Sequence, residues 1–103
     1  MREVPPPTGR GMQNPAVREA VETGNQRHAE LQERMRAKGW KVDRVDTGVV
    51  DPATGRTVYP DAITPRGHPV EIKPHTPTGR AAGASQLETY ERATGRNGRV
   101  VHY

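Results

Sequence analysis

The chain has 103 residues, which is room for one domain with one core, and with 31% hydrophobic residues, no Phe and a single Trp that core is thin. A net charge of +4 with a pI near 10.0, carried mainly by Arg, suits polyanionic partners, while the absence of Cys excludes disulfides, thiolate metal sites and a cysteine nucleophile. No apolar run approaches the ~20 residues that span a bilayer, and the opening lacks the apolar stretch of a signal peptide, so membrane insertion by this segment is not expected.

Residues 1–14 hold three consecutive prolines and no apolar periodicity, and are read as a linker or tail, with the domain proper at 15–103 and cut from a larger polypeptide. From Pro15 to Lys38, Val17, Val21, Gly24, His28, Leu31 and Met35 recur at steps of three and four, predicting a first helix. Asn14 is its N-cap, Pro15 its first residue and Gly39 its left-handed stop. Its basic residues Arg18, Arg27, Arg34, Arg36 and Lys38 form a solvated face or a track for a nucleic-acid backbone.

Trp40, Val42 and Val45 alternate roughly enough for a first strand, followed by a turn at 51–55. A second strand is expected over 56–64, a turn at 65–68, and a third strand over 69–74, giving an antiparallel meander. After a loop at 75–80, Ala84, Leu87 and Tyr90 fall at helical spacing in a helix over 81–94 that ends at Gly95. Gly98 to Tyr103 is a final strand. The expected fold is therefore α/β, in the order helix, three strands, helix, strand.

Within the third strand, Glu71 and Lys73 share one face while Val70 and Ile72 take the other, toward the core. Asp61 lies on the preceding strand, and a hairpin centred near Arg66 sets it opposite or diagonal to Glu71, within reach of a single ion. Two carboxylates this close repel each other unless a proton or cation intervenes. Mg²⁺ takes oxygen ligands and binds through one or two carboxylates plus substrate phosphate, and Lys73 beside it can orient a nucleophile or neutralise charge. The plainer alternative is a solvent-facing hairpin whose charges carry no chemistry.

Tyr59-Pro60-Asp61 followed by Val70-Glu71-Ile72-Lys73 resembles the PD-(D/E)xK motif of restriction-endonuclease-like nucleases, and the element order is similar to their common core, a central mixed sheet flanked by helices. The run through Ser85-Gln86-Leu87-Glu88-Thr89-Tyr90 resembles most the nuclease toxin domains of bacterial polymorphic toxins, where a Gln-Leu-x-x-Tyr helix follows the lysine strand. The resemblance covers roughly residues 25–103. It implies catalytic Asp61, Glu71 and Lys73, with Gln86 and, as a further acid on the first helix, Glu30; Glu22 and Glu33 are neighbouring candidates. It implies Mg²⁺ or Mn²⁺ held by Asp61, Glu71 and Ile72, the last able to offer only its backbone. It also implies an antibacterial effector delivered into the cytoplasm of a target cell and neutralised in its producer by a cognate immunity protein.

Gln86 and Tyr90, four apart, share a helix face and can look into the site together, although Tyr90 also suits the core. His75, Thr76, Arg80 and Tyr90 are the candidate nucleic-acid contacts, with DNA favoured over RNA as substrate. His28, in the apolar stripe, reads as packed, and His68 and His102 as surface residues. Two other functions fit the same residues: a metal-independent ribonuclease using His75, Arg80 or His102, and a non-catalytic nucleic-acid-binding module.

Overall fold

A computed structural model describes residues 15–103; the proline-rich lead, the Asn14 cap and the side chain of Val17 lie outside them. The described residues form a mixed α/β domain with two small sheets and three helices.

Helix α1 spans Pro15–Ala37, within a residue of its expected end. It stops as the sequence predicts, with Gly39 at φ 85° and the Gly39 and Trp40 N–H groups bonded to the carbonyls of Arg36 and Met35. Its apolar stripe is used unevenly. Met35 is buried and Leu31 packs on the core, whereas Val21, two turns and more upstream, is exposed.

The first expected strand is not formed. Lys41 makes one antiparallel bridge to Ile63, and the chain then turns into the one-turn helix α2, Arg44–Thr47, in which Asp46 and Thr47 N–H groups bond to the Asp43 carbonyl. The three-residue step from Val42 to Val45 separates them here: Val42 is buried and Val45 is 89% exposed. Strands β1, Val49–Val50, and β2, Thr57–Val58, then pair antiparallel. The turn between them is closed by Asp51, whose carbonyl accepts from Thr54 and Gly55 and whose carboxylate accepts from Ala53.

The long second strand expected over 56–64 is split. Pro60 has no N–H with which to continue a ladder, and the chain leaves β2, passes Tyr59 and Pro60, and enters β3, Ala62–Ile63, in a different sheet. The expected three-strand meander is thus corrected to a two-stranded hairpin, β1–β2, and a separate sheet ordered β3-β4-β5. In that sheet β4, Pro69–Lys73, runs antiparallel to β3, with Ala62 opposite Val70. The turn joining them has Gly67 at φ 89°.

Helix α3, Pro77–Thr94, starts four residues earlier than expected. Thr76 caps it, its hydroxyl accepting from the Gly79 N–H at 2.9 Å, and Pro77 occupies the first turn, where a missing donor costs nothing. Gly95, at φ 69°, closes its other end. Strand β5, Arg99–His102, follows and lies parallel to β4, with Lys73 opposite His102, so the sheet is mixed as expected.

The sheet's two faces are packed differently. Val70 and Ile72 join Met35, Val42 and Ala62 in the core, with Leu31, Trp40, Val101 and Tyr103 against it, so α1 covers one face. The other carries α3 at close range: a Cβ on Gly83 would lie 2.9 Å from Val100 Cγ1 and 3.3 Å from Lys73 Cγ. The hairpin is tied to α3 by Arg92, which donates to both Asp51 carboxylate oxygens at 2.8 and 2.9 Å. This fork holds the buried Asp51 carboxyl at about 2, well below the usual range, with the Ala53 N–H adding to it.

Candidate acid–lysine site

Pro60 is buried, and the break it makes in the chain leaves Asp61 just outside β3. Continuing the β3–β4 register by one step sets Asp61 opposite Glu71. No ladder fixes Asp61 there; three contacts do. Asp61 Oδ2 accepts from the Ile72 N–H at 2.7 Å, its Oδ1 faces His28 Nε2 at 3.1 Å, and its backbone carbonyl accepts from Gln32 Nε2 at 3.0 Å. The acid is therefore held by the middle strand on one side and by α1 on the other.

Glu71 is only 2% exposed, an unusual place for a carboxyl group. Burial pushes its pKa up to about 8, and the adjoining Asp61 carboxyl, by hydrogen bond and charge, pushes the same way. Lys73 opposes both, with Nζ 3.5 Å from Glu71 Oε2 and the lysine side chain 35% exposed. The result is a buried Glu71 carboxyl that resists ionisation, adjoining the Asp61 carboxyl and beside one ammonium group that reaches solvent.

Tyr90 projects from α3 toward the same place. Its hydroxyl donates to the Tyr59 carbonyl at 3.1 Å and accepts from Gln86 Nε2 at 3.0 Å. Burial, and then the Glu71 charge, pushes the phenol up to about 12, against the opposing hydrogen bond from Gln86. Gln86 and Tyr90 thus act together, and through the Tyr59 carbonyl they tie α3 to the segment leading into Asp61.

The structure brings together Asp61, Glu71, Lys73 and Tyr90, with Gln86 held through Tyr90. Ile72 contributes its N–H to Asp61 while its side chain fills the core. The helix residues that reach Asp61 are His28 and Gln32; Glu30 is exposed and lines a shallow groove with Arg27, Leu31, Arg34, His102 and Tyr103. A spacing of four from His28 to Gln32 puts both on one face, a signal the sequence contains but that the search for a further acid passes over. His75, Thr76 and Arg80 gather at the start of α3: Thr76 is spent on capping, Arg80 is exposed, and the His75 ring lies 5.4 Å from that of His102. His68, read as a plain surface residue, is half-buried and its Nδ1 lies 2.6 Å from the Asn97 carbonyl.

Among the described residues no three His, Asp or Glu side chains gather closely enough to form a cation cage by themselves. Asp61 and Glu71 form an oxygen pair, and such a pair is the protein share of a Mg²⁺ site in which waters and phosphate complete the shell. No helix among the described residues is long and apolar enough to cross a membrane. No protein-family model, curated protein or solved structure matches the chain.

Proposed function

We propose that the chain is a metal-dependent nuclease domain with a restriction-endonuclease-like core, hydrolysing phosphodiester bonds in DNA in preference to RNA. One observation carries this reading: the buried Glu71 carboxyl adjoins the partly exposed Asp61, with Lys73 Nζ 3.5 Å from Glu71. Two carboxyl groups set side by side favour an extra proton or a cation between them; burial first, and the adjoining Asp61 second, raise the proton affinity of Glu71. The donor set is all oxygen, which fits Mg²⁺ or Mn²⁺.

Asp61 and Glu71 would hold the ion, Asp61 kept in orientation by the Ile72 N–H, His28 and Gln32. When bound, the ion supplies Lewis-acid polarisation of the phosphate and acidification of water. Lys73, partly exposed and adjacent, offsets charge that develops on the phosphoryl oxygens and orients the attacking water by hydrogen bond. Gln86 and Tyr90 brace the Tyr59 carbonyl and so keep the approach to Asp61 rigid. His75 and Arg80, exposed near the end of the lysine strand, are available to neighbouring phosphates.

By the resemblance of the Asp61, Glu71-Ile72-Lys73 and Gln86-Leu87-x-x-Tyr90 pattern, the domain serves as the toxin part of an antibacterial effector. It acts in the cytoplasm of a competing cell and is neutralised in the producer by an immunity protein that blocks the substrate cleft. The test is incubation of the purified chain with plasmid and with total RNA, with and without Mg²⁺, beside Asp61→Ala and Lys73→Ala. Cleavage that requires the ion and falls roughly a hundredfold or more in both variants is expected. No cleavage with any divalent ion refutes the reading.

A second reading is favoured by the pairing of the His75 and His102 rings, an arrangement available for acid–base cleavage of RNA without a metal. RNA cleavage that survives EDTA and fails on His75→Ala would establish it in place of the first.

A further inference from the structure

The ring of Tyr59 is pinned from two directions. Gly48 lets the backbone approach so closely that a Cβ there would lie 3.0 Å from Tyr59 Cε1, and the Arg44 guanidinium lies over the ring with Cζ 3.9 Å from its centroid. Tyr59 remains 38% exposed and Arg44 is exposed, and among the described residues no carboxylate pairs with that guanidinium. Val45, next to Arg44 in the chain, is 89% exposed.

We infer that the Arg44–Tyr59 stack is a seat for an unpaired nucleobase, and that the substrate of the acid–lysine site is single-stranded nucleic acid or a splayed nucleotide within it. This rests on the nuclease reading above and names the substrate class for that same site. A guanidinium lying on an aromatic ring keeps its outer face open, and that flat cationic face is a stacking surface for any base. In a duplex the faces of each base are covered by its neighbours, so only an unpaired base can use it.

The platform is joined to the acids by short, fixed connections. Tyr59 precedes Asp61 by two residues, at most ~7 Å of backbone, comparable to one nucleotide step. Its carbonyl accepts from the Tyr90 hydroxyl, and the Tyr90 phenol in turn feels the charges of Glu71 and Asp61. On this proposal a base seated on Arg44 holds its strand beside the segment that leads into Asp61, where a neighbouring phosphate can be offered to Asp61, Glu71 and Lys73. Stacking of this kind tolerates any sequence, so weak base preference accompanies it.

The test is binding in EDTA, where no cleavage occurs, of short end-labelled single strands containing 2-aminopurine and of the matching duplexes, in DNA and RNA forms. The wild-type chain should bind the single strands more tightly and quench 2-aminopurine on binding. Arg44→Lys keeps the charge and loses the plane, so it should weaken single-strand binding roughly tenfold and abolish quenching, with the salt slope unchanged. Tyr59→Leu should do the same, and a circular dichroism spectrum checks its fold. Arg44→Lys that binds and quenches as wild type, or equal binding of single strands and duplexes, overturns the inference; if plasmid is still cleaved, the nuclease reading survives it. Quenching that depends on Arg44 in a chain that cleaves nothing keeps the base seat and removes the hydrolysis.

Discussion

Glu71→Gln preserves the shape of the buried side chain and removes its proton equilibrium. In the folded chain Glu71 titrates at about 8 against an ordinary 4.5, first because it is buried and second because Asp61 adjoins it. A gap of about 3.5 pH units at ~1.4 kcal/mol for each is on the order of a few kcal/mol, with Asp61 adding to it and Lys73 offsetting part of it. Between the two values the folded chain holds a proton that the unfolded chain has released, so stability declines as pH rises. The contribution is complete below about pH 4.5 and lost above about pH 8. Glutamine stays neutral throughout, so the variant should match the wild type near pH 4 and exceed it near pH 9. With each kcal/mol moving the midpoint by about 4–8 °C in a chain of this size, the gain at high pH is upwards of ~10 °C. Thermal unfolding in EDTA at a series of pH values measures it. A wild-type midpoint that is flat from pH 5 to 9, or a variant that never melts above it, refutes the assignment of Glu71 as a desolvated acid pressed against Asp61. Added Mg²⁺ should raise the wild-type midpoint at high pH and leave the variant almost unmoved.

Two further outcomes follow from the packing. Asp51→Asn removes the charge that Arg92 grips on both oxygens; the pair's contribution, present above the ordinary carboxylate pKa of 3.8 and lost as pH falls through about 2, should vanish, lowering the neutral-pH melting midpoint most and the difference disappearing in strong acid. Gly83→Ala places a Cβ 2.9 Å from Val100 Cγ1 and 3.3 Å from Lys73 Cγ, and overpacking there should cost about 1–3 kcal/mol in denaturant unfolding; a neutral result would mean that α3 does not lie as close to the sheet as described.

The elements with strong local punctuation were readable from residues alone. Gly39 and Gly95 end both long helices, and the Val70, Ile72 alternation marks β4, which also fixes which side Glu71 and Lys73 take. The pairing of Asp61 with Glu71 followed from a hairpin whose turn chemistry is local. Where two periods compete the sequence is ambiguous: Val42 and Val45 suit a strand or a helical turn, and a single N–H missing at Pro60 cuts a run that otherwise alternates well. Thr76 and Pro77 carry the local signature of a helix start, inside the stretch read from sequence as the loop 75–80. Contacts between residues distant in the chain left no periodic trace: Asp51 meets Arg92 across 41 positions and Gln32 meets Asp61 across 29. The same holds for Arg44 over Tyr59, since stacking has no sequence spacing of its own.

Because Asp61 sits outside any ladder and is oriented jointly by His28, Gln32 and the Ile72 N–H, the acid pair has no independent existence in the hairpin that carries it. The first helix is held on the core mainly through Leu31 and Met35 near its C-terminal end. With that helix undocked Asp61 loses its His28 and Gln32 contacts, so the orientation of the acid beside Glu71 belongs to the assembled fold and not to the strands alone.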